Sequence, residues 1–123
     1  MNVIDSSGWL EYFDDGSNAD FFAPGIENTA ELLVPSICLY EVFKRILQQR
    51  SDVDALQAVV AMQQGIVVDL TPALAISAAN LSAALKIPMA DSIILATARA
   101  NNALVWTQDA DFEGLDGVRY RAK

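Results

Sequence analysis

Residues 88–111, PMADSIILATARANNALVWTQDAD, carry a helix, a strand and three acids in one short run, and their reading decides the fold. Pro88 breaks the preceding helix, so a new one starts near Met89-Ala90-Asp91 and continues through Ile94, Leu95 and Ala98. That start places Asp91 in a first turn, where the positive end of the helix dipole favours a carboxylate. Ala103-Leu104-Val105-Trp106-Thr107 then reads as a strand. Asp109 follows it directly, with Asp111 two residues further on.

A strand that ends in an acid also opens the chain. Asn2-Val3-Ile4 is a short β-prone run that stops at Asp5-Ser6-Ser7-Gly8, where Ser or Asp can cap the helix suggested by Trp9, Leu10, Tyr12 and Phe13. Glu31 to Val34 predicts a second strand closed by Pro35. Ser36 is placed to cap a helix running to about Arg50, on which Ile37, Tyr40, Glu41, Lys44 and Gln48 share one face. Asp52 to Gln64 is a further amphipathic helix with Gly65 as its stop signal, and Ile66 to Asp69 is the third strand. Thr71-Pro72 opens a helix through Leu85 whose stripe of Leu74, Ala78, Leu81 and Leu85 reads as core. Gly114 to Gly117 turns into a last strand, Val118 to Tyr120, and a basic tail. Between Asp14 and Glu31 the pattern is weakest: Pro24-Gly25 interrupts Phe21 to Ile26, which reads as a helix or a loop.

Strands alternating with helices predict an α/β fold, with a mostly parallel central sheet, helices on both faces and right-handed crossovers. Ligands of such sheets bind outside the carboxyl ends of the strands, where the strand order reverses. Asp5 and Asp109 both fall just past such ends, which places residues a hundred positions apart in one site.

The chain of 123 residues, 53% hydrophobic, fits one domain over residues 1–123 with a single core. No apolar stretch approaches the roughly 18 residues of a membrane span, and the N-terminus lacks the features of a secretory signal. A single cysteine, Cys38, excludes an internal disulfide, and the absence of histidine excludes the usual zinc patterns and histidine-activated nucleophiles. Cys38 reads as a buried filler. The net charge of -8 argues against broad adhesion to polyanions, although bound cations or a local group of bases can reverse the sign near a site. Lys44, Arg45, Lys86 and Arg99 are candidate phosphate contacts, or else solvated surface.

Four acids lie beside or inside apolar runs: Asp5, Glu41, Asp91 and Asp109. Buried charge is costly unless paired or bound to a cation. Only Glu41 has a base at helical reach, Arg45, so a divalent cation is the simplest compensation for the rest. Mg²⁺ and Mn²⁺ prefer such oxygen ligands. Two carboxylates about 4 Å apart repel by roughly 4 kcal/mol at an effective dielectric near 20, so neutralising Asp5 or Asp91 is expected to leave metal-free stability equal or higher. One or two ions there suit phosphodiester hydrolysis by water, with Ser6, Ser7 and Thr107 orienting a carboxylate or a water. Each acid also has an ordinary reading. Asp5 and Asp109 suit turns, Asp91 a helix start, and Glu41 a surface pair with Arg45 or Lys44; Asp111 is a further ligand or a continuation of the turn. Trp9 and Trp106 read as packing, with base stacking as the alternative.

Asp5 after Val3-Ile4, Glu41 in PSICLYEVFKR, Asp91 in ADSIILATA and the TQDADF turn together resemble the PIN-domain ribonucleases, particularly the VapC toxins of toxin–antitoxin pairs. The similarity runs from Met1 to about Val118. It implies a three-layer α/β/α fold and a Mg²⁺- or Mn²⁺-dependent endoribonuclease acting on RNA in the cytoplasm. It also implies inhibition by a small cognate antitoxin and homodimers formed commonly through early helices. Asp5, Glu41, Asp91 and Asp109 match the family's acidic quartet, Thr107 its hydroxyl residue, and Asp111 its frequent second acid of the last turn. Two competing readings are a noncatalytic PIN-like binding module regulated by a small partner protein, and a phospho-accepting aspartate on a similar sheet.

Overall fold

The computed structural model describes residues 1–123. Five strands, β1 (Asn2–Ile4), β2 (Leu32–Pro35), β3 (Ile66–Val68), β4 (Leu104–Thr107) and β5 (Val118–Tyr120), form one sheet in the order β3-β2-β1-β4-β5, and every pairing is parallel. Six helices link them: α1 (Ser6–Phe13), α2 (Ala19–Glu27), α3 (Ser36–Gln49), α4 (Asp52–Met62), α5 (Pro72–Leu85) and α6 (Met89–Ala100). Right-handed crossovers put the connections that step from β1 to β2 to β3 on one face and the returning β3-to-β4 connection on the other. This is the predicted three-layer α/β/α arrangement. Val3, Ile4, Leu33, Val34 and Val105 are all buried, as expected of parallel strands covered on both faces.

The strand order reverses between β1 and β4. From β1 the chain steps outward through β2 and β3, then returns to lay β4 on the other side of β1. The register aligns Ile4 with Trp106, and the Asp5 N–H donates to the Trp106 carbonyl at 3.1 Å, so the two strands end level. The crevice beyond them is the binding position typical of an open α/β sheet.

One open reading resolves to a helix, and two local expectations need correction. Residues 19–27 form a regular helix despite Pro24. Pro24 and Asp20, whose carbonyl Pro24 cannot serve, are both exposed, so the missing bond falls on the outer side of the helix. Gly25 belongs there because a Cβ would stand 3.0 Å from Ile4 Cδ1 and 3.3 Å from the Trp106 indole, so α2 meets the sheet backbone-close. Pro35, still paired in β2, is the cap of α3, and Ser36 is its first helical residue. On α5 only Ala78 is buried, while Ile76 is 67% exposed. This helix packs chiefly against α6, so only a narrow line of its apolar surface is covered.

No single helix is long and apolar enough to cross a membrane.

Candidate functional site

Asp5 sits where β1 gives way to α1, and it caps that helix: its Oδ1 accepts from the Gly8 N–H at 2.9 Å. The Ser7 hydroxyl donates to the same carboxylate at 2.8 Å, and the Thr107 hydroxyl reaches Oδ2 at 2.6 Å from the end of β4. Gly8 must be glycine for this geometry, since a Cβ would lie 2.7 Å from both Ile4 and Phe22. Asp5 is only 2% exposed, and burial raises its carboxyl to about 6. The hydrogen bonds from Thr107, Gly8 and Ser7 oppose that rise, and the charge of Asp109 adds to it.

Asp91, in the first turn of α6, is half-buried and receives no hydrogen bond from the protein. Burial is the first cause that raises its carboxyl to about 7, followed by the charges of Asp109, Asp111, Asp5 and Glu41. Ligand oxygens of Asp91, Asp109 and Asp111 lie within 4.8 Å of one another. Asp109 caps the short 3₁₀ turn Ala110–Phe112 by accepting the Asp111 N–H at 2.9 Å, and its own N–H donates to Thr107 Oγ1 at 2.9 Å. Thr107 therefore ties the β4 turn to Asp5 through one hydroxyl.

Glu41 approaches from α3. Its Oε1 accepts the Ser6 hydroxyl at 2.6 Å, and the pair with Arg45 or Lys44 that spacing allowed does not form. The ion pairs of the structure are Met1 ammonium with Glu31 and Arg50 with Asp14, neither of them in the site. Cys38 is fully buried; burial pushes its thiol up, and the charges of Asp5, Glu41 and Asp91 push it the same way. Trp9 and Trp106 are buried packing residues.

Every acid singled out in the sequence thus meets at the carboxyl ends of β1 and β4, though in two parts. Asp5 is saturated with donors, and Asp91, Asp109 and Asp111 form the open oxygen cluster with Glu41 coupled to it. A donor set made only of carboxylates, with no base among them, suits a hard divalent cation. Two residues went unnoticed in the sequence. The buried amide of Asn18 donates to Gln108 Oε1 and to the Ala122 carbonyl, both at 3.0 Å, pinning the C-terminal tail beside the site. No periodicity marks such a tie, because it joins a turn to a tail.

A comparison with curated proteins gives no match. Among solved structures, the chain resembles a protein of a toxin–antitoxin complex from Klebsiella pneumoniae at 19% identity, with 97% of this chain and 96% of that chain covered and a TM-score of 0.82. VapC20 from Mycobacterium tuberculosis, described as a sarcin-ricin loop cleaving toxin, shares 17% identity over 97% of this chain and 99% of that one, with a TM-score of 0.80. DNA-bound VapBC from Salmonella typhimurium gives 19% identity, coverage of 99% and 98%, and a TM-score of 0.75. Identities this low establish a shared fold. The PIN domain family model matches residues 3–118, nearly the whole length, and the chain belongs to the PIN domain family.

Proposed function

We propose that residues 1–123 act as one PIN-like domain with metal-dependent endoribonuclease activity, the toxin of a toxin–antitoxin pair, cleaving RNA by attack of water. The observation that carries this reading is the half-buried Asp91 carboxyl, surrounded by the charges of Asp5, Glu41, Asp109 and Asp111 with no base paired to any of them. A fold has little reason to keep such repulsion unless a cation relieves it. When bound, Mg²⁺ or Mn²⁺ supplies an acidified water and a counter-charge for the phosphate oxygens.

The chain's own residues divide the work. Of the four acids expected to hold the ion, Asp91 and Asp109 offer open oxygens, which Asp111 extends, and Glu41 and Asp5 complete the acidic set. Asp5, fixed by Ser7, Gly8 and Thr107, keeps its carboxylate aimed along the strand ends and contributes the remaining negative charge. Thr107 and Ser7 position Asp5, and Thr107 also sets the turn that presents Asp109. We assign the cytoplasm as its location, because the RNA substrate is there. A small antitoxin and a second copy of the chain are the protein partners of this reading. What supports them is exposed apolar surface: Val53, Leu56 and Val60 on α4, Ile76 on α5 and Met89 on α6.

Incubation of the purified protein with structured RNAs in Mn²⁺ tests the proposal. Cleavage is expected in metal, with loss in chelator and a fall of about a thousandfold in Asp91→Asn. Equal cleavage in chelator, or full activity in Asp5→Ala, would overturn it. Absence of cleavage together with Mn²⁺ binding that ignores these acids would favour the noncatalytic module.

A further inference from the structure

Sixteen acids outnumber eight bases in this chain, so the placement of the bases decides whether a polyanion can approach an acidic rim. Arg50 is paired with Asp14, and Arg99 donates to the Asp116 carbonyl. Three of the eight, Arg119, Arg121 and Lys123, fall within the last five residues. Lys123 and Arg45 line one polar cleft of about 190 Å³ together with Ser7, the residue whose hydroxyl holds Asp5. Neither base has an ion-pair partner. The two acids of that cleft are already engaged, Glu11 by the Asn18 N–H at 2.8 Å and Asp14 by Arg50.

The tail that delivers Lys123 is fixed in place. Arg121 N–H donates to the Thr107 carbonyl at 3.0 Å, and Asn18 grips the Ala122 carbonyl at 3.0 Å. Arg119 stacks over the Trp106 ring at 4.2 Å and Arg121 over Phe21 at 4.7 Å. Stacking occupies a guanidinium's face and leaves its N–H edge for an anion. Free bases held on a rigid backbone beside Ser7 and Thr107 therefore lie next to the Asp5 corner, and phosphate is the anion whose spacing such a run can follow.

Resting on the ribonuclease reading above, we infer that Arg45 and Lys123 form a phosphate-binding cleft, continued by Arg121 and Arg119, that positions the RNA backbone beside the acidic cluster. These are positioning residues: they hold flanking phosphates and take no part in bond cleavage. The cleft also accounts for how a chain of net charge -8 admits RNA, by placing Arg45, Arg119, Arg121 and Lys123, four of its eight bases, near the Asp5 corner.

The test compares the full chain with an Arg45→Gln/Lys123→Gln double variant. Binding of a single-stranded RNA oligonucleotide is followed by fluorescence anisotropy in chelator between 50 and 200 mM salt, and KM and kcat are measured in Mn²⁺. Two lost phosphate contacts on single-stranded RNA make the log–log salt slope shallower by about 1.4. The wild-type binding advantage then shrinks about sevenfold across that salt range. KM rises about tenfold and kcat changes less than about twofold. The charge-keeping swap Arg45→Lys/Lys123→Arg retains the wild-type slope, which separates lost charge from lost folding. A double variant that matches wild type in slope and KM, while wild type cleaves, overturns the cleft and leaves the nuclease reading intact. A wild type that shows the slope difference yet cleaves nothing upholds the cleft and sinks the nuclease reading instead.

Discussion

Asp5 is the more deeply buried of the two central carboxylates, yet Asp91 is raised further, to about 7 against about 6. The difference lies in what each acid faces. Three protein donors converge on Asp5 and hold its charged form, while Asp91 receives none and faces four like charges. Depth alone therefore does not measure how strongly a site needs a cation. The supply of donors does, and by that measure the need is concentrated at Asp91, Asp109 and Asp111.

The largest effect that can break this comparison is the pH dependence of metal-free stability. Both carboxyls are raised in the folded chain, so the folded state binds these protons more tightly than the unfolded one. Their contribution is fully present below the ordinary value of 3.8 and is lost as pH rises through about 6 for Asp5 and about 7 for Asp91. For the buried Asp5 alone this is about 3 kcal/mol. Thermal midpoints in chelator are expected to fall by several degrees between pH 4.5 and pH 7.5, and saturating Mn²⁺ is expected to flatten the profile, since a cation relieves what the protons relieve. A flat profile in chelator would mean that neither burial nor mutual repulsion raises these carboxyls in the folded chain.

A smaller effect separates the two corners by sign. Asp5→Ala leaves the Ser7, Gly8 and Thr107 donors without their acceptor at a buried point, and relief of the buried charge offsets only part of that loss. The net cost is about 2 kcal/mol in denaturant unfolding with chelator. Asp91→Asn removes repulsion and orphans no protein donor, so its stability should equal or exceed wild type. The simpler expectation, that neutralising either acid leaves metal-free stability equal or higher, is most exposed at Asp5, whose donors do not show in the sequence. Equal losses in both variants would erase the distinction.

Much of the fold was legible because strands buried on both faces are short apolar runs, and because helix starts carry their own capping residues. Val3-Ile4 and Val105-Trp106 announced the central pair, and Asp5 and Asp109 marked the strand ends. Periodicity reports which face a residue occupies along one element, and it is silent about what lies across from it. The stripe on α5 looked like core for that reason, although α6 lies between that helix and the sheet. Pro24 looked like a breaker because the sequence does not show that the missing bond falls on the outer side of the helix. The acidic set was readable as isolated residues; its division into a donor-saturated corner and an open cluster depends on Ser7, Gly8 and Thr107 arriving from different segments.

The finest test lies inside the Asp5 corner, where two hydroxyls serve the same carboxylate from different depths. Thr107 is fully buried, and its hydroxyl both donates to Asp5 and accepts the Asp109 N–H. Thr107→Val keeps the shape, leaves the Asp109 N–H unpaired and leaves Asp5 Oδ2 with the Ser7 hydroxyl alone, a cost of about 1.5 kcal/mol. Ser7 is only half-buried, and Gly8 continues to serve the Asp5 oxygen it shares, so Ser7→Ala costs about 0.5 kcal/mol. Both hydroxyls hold the Asp5 carboxyl down, so each variant should raise it further and steepen the fall of metal-free stability with pH, Thr107→Val more than Ser7→Ala. If Ser7→Ala proves the more damaging, the carboxylate is held chiefly by its own helix and the bond from β4 is incidental.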